Sequence, residues 1–258
     1  MPQTKIVFFD IDGTLIDMQA KKITPKILET LHRLQDRGIK ICIATGRSPM
    51  VLPKIDGVAF DAYLTFNGSL CYDRKGVIFS NPIPHKDVVR FIQNAAALGR
   101  PVCVSTRDRL AANGADTDLT DYFFIANEPV PVADDFDAVC ADDIYQLMLG
   151  CRPKDYPALL DGAPGAKIAA WWDRAVDVIP AGGGKGIGIE KMLAYYGLDK
   201  AEALAFGDGN NDREMLQAVG TGVAMENGSP ELKAIADEIC GPVYEDGIYH
   251  YCADKGLI

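Results

Sequence analysis

Two aspartates with a spacing of two follow the first apolar segment of the chain. Residues 6–9 are Ile-Val-Phe-Phe, and they lead directly into Asp10 and Asp12, with a glycine and a threonine next. If a strand continues through Asp12, both carboxylates point to the same side, because side chains alternate along a strand. Two neighbouring carboxylates repel each other unless a cation lies between them, and a hard divalent ion such as Mg²⁺ prefers oxygen ligands. The pair therefore predicts a magnesium site, with an ordinary acidic Asp-Gly turn as the alternative.

A group with a hydroxyl follows the second apolar segment, residues 39–44. It consists of Thr45, Gly46 and Arg47. A threonine hydroxyl and a glycine amide at the end of a strand can hold a phosphoryl oxygen, and the arginine can reach a charged group of the substrate. Thr-Gly also belongs to plain turns, so a turn without a ligand is the alternative for this group taken alone.

A lysine follows a run of glycines later in the chain. Glycines at positions 182–184 precede Lys185, which starts a segment with apolar residues at helical spacing. The spacing excludes the phosphate loop of nucleotide-binding proteins, because that loop needs a glycine where Ile179 stands and a serine or threonine where Gly186 stands. The helix dipole disfavours a cation at a helix N-terminus, so we expect an anion close to Lys185.

A second acidic group follows the apolar segment 203–206. It includes Asp208, Asn211 and Asp212, and a helix is predicted to begin near Asp212. Together with the first acidic pair, these carboxylate and amide oxygens could support one cation and one phosphate group. A Gly/Asn turn with a capping aspartate is the alternative.

A parallel sheet would bring these four groups together. Thr24 and Pro25 predict the start of a helix between the segments 6–9 and 39–44, and a strand–helix–strand order with short links makes the two strands parallel. Further core strands are predicted at residues 62–66, 203–206 and 222–225. Functional groups gather at the carboxyl ends of parallel strands, so all four groups are expected at one edge. The predicted fold class is α/β, with a doubly wound, parallel, Rossmann-like core.

The segment after the strand at 62–66 shows the pattern of a turn and a hairpin. Asn67 and Gly68 form a typical turn pair, and residues 69–79 contain alternating apolar positions. Such alternation on both sides of a short connection predicts two antiparallel strands. Only a structural role in the turn is predicted for Asn67.

A second domain is predicted as an insertion into the first. Prolines near residue 82 and a proline and glycine cluster near residue 180 enclose a segment with its own helix and short strands. This pattern predicts an α+β domain over residues 83–180, inserted into a core made of residues 1–82 and 181–258. The chain enters and leaves this domain at neighbouring points, which would let the domain close over the edge of the sheet that carries the four groups. The acidic stretch 116–143 is predicted as solvated surface loop and helix, with no ligand.

Charge and cysteine content bound the classes of protein to which the chain can belong. The formal net charge of −10 at pH 7 argues against binding to nucleic acid, and it requires a local positive site for an anionic substrate. The seven cysteines contain no C-x-x-C pair, and several lie in apolar segments, which is typical of reduced thiols in a cytoplasmic protein. No stretch has the apolar length of a membrane span, and no signal-peptide pattern opens the chain, so no membrane partner is expected. No pattern indicates an oligomeric state.

Taken in order, the four groups resemble the four motifs of the haloacid dehalogenase (HAD) superfamily of phosphohydrolases. The matching segments are DIDGT, ATGR, the lysine after the insertion, and GDGNND. The resemblance covers essentially the whole chain, and the insertion between the second and third motifs is similar to the Cof-type, type IIB branch. It implies a HAD core with an inserted α/β cap domain.

The resemblance also implies a chemical role for each acid of the motifs. Asp10 would attack phosphorus and form an aspartyl phosphate. Asp12 would act as general acid toward the leaving alcohol and then as base for the water that cleaves the intermediate. Mg²⁺ would be held by Asp10, by the backbone carbonyl of Asp12, and by Asp208.

The remaining motif residues would bind the phosphate group. The resemblance implies that Thr45 and Gly46 contact the phosphate and that Lys185 neutralises it and orients the nucleophile. Asn211 would support the phosphate, and Asp212 would support the metal from a second layer. Arg47 is the candidate for contacting the rest of the substrate.

The predicted function is that of a Mg²⁺-dependent phosphatase, a phosphoric monoester hydrolase acting on a small phosphorylated metabolite such as a sugar phosphate. A cap over the site would exclude polymers, which favours a small-molecule phosphate ester. Two alternatives stay open. One is a phosphomutase acting on a hexose phosphate, because mutases also keep the second acid. The other is a non-catalytic regulator that binds a phosphorylated metabolite.

Overall fold

The protein divides into two compact units. The structure, a computed structural model, describes residues 3–55, 57–125, 127–170 and 172–258. The first unit comprises Met1–Gly46, Pro53–Ser80 and Gly184–Ile258, and the second comprises Arg47–Leu52 and Asn81–Gly183. The segment Arg47–Leu52 groups with the second unit, whereas the sequence-based boundaries assign it to the core.

The secondary structure alternates between strands and helices in the first unit. In chain order, the strands are β1 (Ile6–Phe9), β2 (Lys40–Ala44), β3 (Ala62–Thr65), β4 (Leu70–Asp73), β5 (Gly76–Ser80), β6 (Cys103–Ser105), β7 (Leu110–Ala112), β8 (Gln146–Gly150), β9 (Ala166–Ala169), β10 (Ala175–Pro180), β11 (Ala203–Gly207), β12 (Thr221–Met225) and β13 (Glu238–Cys240). The α-helices are α1 (Pro25–Asp36), α2 (His85–Ala97), α3 (Thr117–Phe124), α4 (Phe136–Val139), α5 (Tyr156–Leu160), α6 (Lys185–Tyr196), α7 (Arg213–Ala218), α8 (Pro230–Lys233) and α9 (Gly247–Asp254).

The sheet of the first unit is parallel through most of its width. Among the described residues it holds eight strands in the order β13-β12-β11-β1-β2-β3-β4-β5. The strands from β13 to β3 pair in parallel, and β4 and β5 add an antiparallel hairpin at the edge. The predicted α/β class, the parallel core and the hairpin over residues 69–79 are confirmed.

Helices cover both faces of this sheet because all four positions of β1 and most positions of its neighbours β2 and β11 are apolar and buried. On one face, Phe8 of β1 belongs to the same apolar cluster as Ile189 of α6. On the other face, Phe9 stacks on Phe206 of β11 at 5.5 Å between ring centroids, and Phe206 packs edge-on against Tyr251 of α9. Parallel strands buried on both sides require such continuous apolar runs.

The first helix begins and ends where its sequence signals predict. The side chain of Thr24 accepts a hydrogen bond from the backbone N–H of Ile27 at 3.2 Å, and Pro25 occupies the first turn. The helix stops at Asp36, and Gly38 follows with a φ of +74°, a conformation that glycine adopts without steric cost. A capped helix of this length places β2 directly beside β1.

The second unit is an antiparallel sheet with helices on both faces. Its strand order is β7-β6-β8-β10-β9. Helices α2 and α5 pack on one face through an apolar cluster that includes Phe91, Leu159 and Leu147. Helix α3 packs on the other face, where Leu119 and Met148 share a second cluster.

The acidic stretch 116–143 is not simply a solvated surface. Asp118 is 8% exposed and accepts hydrogen bonds from Arg100 at 3.2 Å, Arg152 at 3.1 Å and Arg174 at 2.9 Å. The hydrogen bond from Arg152, and then that from Arg174, lowers the pKa of the Asp118 carboxyl. Asp116 caps α3 by accepting from the backbone N–H of Leu119 at 2.8 Å. The prediction of a solvated face is therefore wrong for Asp118, which ties α3 to its sheet.

Other features of the described residues bear on the sequence expectations. All seven cysteines are buried free thiols. Strand β9 ends at Ala169, and Trp171 lies outside the described residues. No helix in the described ranges combines the length and the apolarity that crossing a bilayer requires.

Candidate active site

Three motif residues directly follow neighbouring strands of the parallel sheet. Asp10 follows β1, Thr45 follows β2, and Asp208 follows β11. Strands β2 and β11 flank β1 on either side. The backbone N–H of Asp10 donates to the carbonyl of Phe206 at 3.0 Å, and that of Thr45 donates to Leu64 at 2.9 Å. Because the ladder continues past the last residue of each strand, the sheet itself positions these backbones.

The strand does not continue through Asp12. Strand β1 ends at Phe9, and Asp12 forms an isolated bridge with Ile16, so the alternation that would align Asp12 with Asp10 does not apply. Burial is the main cause of the raised pKa of Asp208, and the charge of Asp12 adds to it. The loop, rather than the strand pleat, determines where Asp12 lies.

Lys185 lies at the N-terminus of α6, where an anion was expected, and it contacts two. It is 1% exposed, and its Nζ donates to Asp10 Oδ1 at 2.7 Å and to Asp212 Oδ1 at 2.6 Å. Burial lowers the pKa of Lys185, but attraction by Asp10 and then Asp212 outweighs this effect and raises the pKa overall, so the ammonium stays protonated. Burial raises the pKa of Asp10, which the charge of Lys185 opposes.

Asp212 organises the loop that carries Asp208. Its Oδ2 accepts from the backbone N–H groups of Asp208 and Gly209, both at 3.0 Å. Thr14 Oγ1 donates to Asp208 Oδ1 at 3.4 Å. Burial, followed by the charge of Asp212, raises the pKa of Asp208 to about 7. The carboxylate of Asp208 is thus in surroundings that disfavour its negative charge unless a cation is near.

The residues present fit a divalent cation with oxygen ligands. Asp10, Asp208 and Asp212 each offer a carboxylate oxygen, and these oxygens lie within 4.8 Å of one another. If all three carboxylates are ionised, as they would be around a bound cation, they exceed the one ammonium of Lys185 by two negative charges. A divalent ion would offset this excess, and carboxylate oxygens are the ligands that Mg²⁺ prefers.

Gly13 permits the close approach of Asp208 to the loop after β1. Its φ is +83°, and a Cβ at this position would lie 2.7 Å from Cγ of Asp208. Both the backbone conformation and the space therefore require glycine.

Asn67 joins the two motifs that were predicted to bind phosphate. Its backbone N–H donates to the carbonyl of Thr45 at 2.9 Å, and its Oδ1 accepts from Asn211 Nδ2 at 3.3 Å. A Cβ at Gly46 would lie 3.2 Å from both amide atoms of Asn67. The sequence pattern predicted only a turn at Asn67, although the position of Asn67 directly after a predicted core strand is a signal that it belongs to the same edge of the sheet.

Arg47 lies in the second unit. Its Nη1 donates to the carbonyl of Val51 at 3.0 Å, which closes the short segment Arg47–Leu52 on itself. Arg47 therefore takes part in the local structure of this segment.

Comparisons with known proteins identify relatives along the full length of the chain. The sequence model of the haloacid dehalogenase-like hydrolase family matches residues 7–252 of this chain. The Bacillus subtilis (strain 168) protein YkrA, provisionally named a phosphatase, is 35% identical over 257 residues, which is 99% of this chain and 99% of YkrA. The 5-amino-6-(5-phospho-D-ribitylamino)uracil phosphatase YitU of the same organism is 28% identical over 262 residues, 95% of each chain.

One similar solved structure is that of BT4131, a HAD subclass IIB sugar phosphatase. It superposes with a TM-score of 0.89 at 28% sequence identity, covering 99% of this chain and 100% of BT4131. All four motif groups of the sequence fall within the residues matched by the family.

Proposed function

The chain belongs to the haloacid dehalogenase-like hydrolase family as a Cof-type, type IIB phosphatase, and we propose that it is a Mg²⁺-dependent phosphomonoesterase acting through an aspartyl phosphate. The observation that carries this proposal is the buried ammonium of Lys185 between Asp10 and Asp212. Its charge favours the ionised form of the nucleophile, its hydrogen bond fixes the orientation of that carboxylate, and it provides positive charge in a protein whose net charge is −10.

Asp10 is the proposed nucleophile. Lys185 holds Oδ1, so we assign Oδ2 as the atom that bonds to phosphorus. As this bond forms, the bond between phosphorus and the ester oxygen breaks, and Asp12 gives a proton to the leaving alkoxide. Asp12 then takes a proton from a water molecule that attacks the phosphorus of the aspartyl phosphate. The bond between Oδ2 of Asp10 and phosphorus breaks in this step, which releases inorganic phosphate and restores the carboxylate of Asp10 and the protonated carboxyl group of Asp12.

Asp10, Asp208 and the backbone carbonyl of Asp12 would hold Mg²⁺. When bound, the ion would offset the excess negative charge of the acids and of the phosphate. We assign Asp212 a supporting role because its Oδ2 already accepts two backbone N–H groups and its Oδ1 accepts from Lys185. Thr45, Gly46 and Asn211 are the proposed phosphate-binding residues.

A small phosphorylated metabolite is the proposed substrate. The relative YitU is named for a phosphoribitylamino compound and BT4131 for sugar phosphates, and both names describe small phosphate esters. We propose that residues 83–180 act as the cap that limits access to molecules of this size, with Arg47 as a contact for the rest of the substrate. The buried free thiols favour a cytoplasmic location.

Removal of the metal tests this function. Phosphate release from a panel of phosphorylated metabolites should fall by roughly 10²-fold or more in excess chelator and return when Mg²⁺ is restored. Chromatography of the products should show the free alcohol with an equal amount of phosphate. Undiminished turnover in chelator would refute the metal requirement, and a rearranged ester without free phosphate would identify a mutase.

The Gly13→Ala variant should bind Mg²⁺ more weakly because its Cβ displaces the Asp208 carboxylate. We expect the Mg²⁺ concentration for half-maximal activity to rise by about tenfold or more. Gly38→Ala is the matched control, since Gly38 has a similar φ of +74° but no atom within 4 Å of its Cβ position. Both variants should lose about 1 kcal/mol of stability from the left-handed backbone. An equal Mg²⁺ dependence in the two variants would contradict the role of Asp208.

A further inference from the structure

Asn67 combines burial with an amide group that is only partly used. The residue is 4% exposed, and its Oδ1 accepts from Asn211 Nδ2 at 3.3 Å. Within residues 3–55, 57–125, 127–170 and 172–258, no acceptor is bound by its Nδ2. Among the described residues, the fully buried side-chain atoms without a hydrogen-bond partner are Ser48 Oγ and Ser69 Oγ, so Nδ2 of Asn67 keeps some exposure and a ligand can reach it.

The backbone around Asn67 holds this side chain in place at a cost. Phe66 and Asn67 both have a φ of +52°, and Gly68 has a φ of +85°. Left-handed conformations are rare for side chains such as phenylalanine, and consecutive ones persist only where the surroundings enforce them. Here the N–H of Asn67 binds the carbonyl of Thr45, and a Cβ at Gly68 would lie 3.2 Å from Cα of Lys185.

The turn is therefore fixed between two motifs that are proposed to contact the phosphate group. On one side is the Thr45-Gly46 pair, with Gly46 beside the amide of Asn67. On the other side is the start of α6, where Lys185 binds the proposed nucleophile. A donor held between these two points is placed to meet an anion that occupies the site.

We propose that Asn67 binds the phosphoryl group of the substrate, with Nδ2 donating to a phosphate oxygen and Asn211 fixing the orientation of the amide. The ligand class is a phosphate monoester or inorganic phosphate, and the proposal rests on the proposed phosphatase function. It explains why a strained turn is kept at this strand end and why position 46 is a glycine, since any Cβ there would crowd the amide.

Two substitutions separate this role from a purely structural one. Asn67→Gly keeps a residue that tolerates the left-handed backbone but removes the amide. Asn67→Asp keeps the oxygen that accepts from Asn211 but replaces the donor with a negative charge. If Asn67 donates a hydrogen bond to phosphate, Asn67→Asp should be more damaging than Asn67→Gly, because the aspartate repels the anion. If the only role of Asn67 is to accept the hydrogen bond from Asn211, Asn67→Asp should resemble wild type and Asn67→Gly should be the worse variant.

The test measures binding of inorganic phosphate by calorimetry in Mg²⁺ and hydrolysis of p-nitrophenyl phosphate. We expect Asn67→Gly to weaken phosphate binding and kcat/KM by roughly 10- to 100-fold, with a larger loss for Asn67→Asp. Asn127→Gly is the matched control, because Asn127 is an exposed asparagine with a φ of +58°. It should match wild type in both measurements.

The outcomes separate this proposal from the function on which it rests. If wild type neither binds phosphate nor hydrolyses any ester of the metabolite panel, the proposed function itself fails. If wild type is active and Asn67→Asp stays within about twofold of it, the role of Asn67 is overturned while the phosphatase function stands. This second result does not depend on whether Asn67→Gly folds.

Discussion

The Asp10→Asn variant should remain folded and lose phosphate release by roughly 10³-fold or more. An amide oxygen is a poor nucleophile toward phosphorus, so the covalent step has no replacement. Oδ1 of an asparagine can still accept the hydrogen bond from Lys185, which spans 2.7 Å in the wild type. The loss is therefore expected in the chemical step, with little change in the position of the lysine.

Stability should not fall in this variant. Burial raises the pKa of Asp10, which means that the protein bears a cost for keeping this carboxylate ionised in its interior. A neutral amide removes one of the two excess negative charges of the site. We expect the free energy of unfolding in urea to stay equal or to rise by about 1 kcal/mol.

A covalent assay gives the sharper measurement. Wild-type protein quenched in acid during turnover should carry one phosphoryl group on the peptide that contains Asp10, and Asp10→Asn should carry none. Asp36→Asn provides the same chemical change at an exposed position on α1 and should behave as wild type. Phosphorylation of a different residue, or turnover by Asp10→Asn above about a tenth of the wild-type rate, would reject Asp10 as nucleophile.

The parts of the fold that were predictable depend on local signals. Thr24 and Pro25 predict the start of α1, and the apolar runs before Asp10 and Asp208 predict buried parallel strands. Parallel pairing then follows from strand–helix–strand order, because short links permit no other arrangement. The carboxyl ends of those strands meet at one edge, so the location of the motif residues followed from topology.

Contacts between residues far apart in sequence were not predictable in this way. Asp118 binds arginines that are 18, 34 and 56 residues away, and no local pattern distinguishes it from a solvated aspartate. The short strand β13 has three residues, too few to show alternation. The αL conformation of Phe66 has no local cause, since phenylalanine does not favour it; tertiary packing imposes it.

The second large effect is expected from Lys185→Met, which should lower both turnover and stability. Methionine resembles lysine in length but carries no charge, so the buried Asp10 and Asp212 and the half-buried Asp208 would be left in one cluster without an ammonium. Turnover should fall by roughly 10²-fold or more, because the nucleophile is no longer oriented and the phosphate loses a positive partner.

The cost to stability follows from removing one member of a buried ion pair. The ammonium is buried and bridges two carboxylates at 2.7 and 2.6 Å, and those carboxylates stay in the interior when it is removed. Breaking a buried pair in this way typically costs about 3–5 kcal/mol. Urea unfolding should report this loss as a lower midpoint at an unchanged slope.

Lys191→Met on the same helix is the matched control for Lys185→Met. Lys191 is exposed, and its Nζ lies 5.6 Å from the ring centroid of Phe79. The same substitution at this position should lower stability by at most about 1 kcal/mol and leave turnover intact. Mg²⁺ should raise the unfolding midpoint of Lys185→Met more than that of wild type, because three excess negative charges attract a divalent ion more strongly than two. If Lys185→Met matches Lys191→Met in stability, and Mg²⁺ affects the two alike, the charge balance assigned to this cluster is wrong.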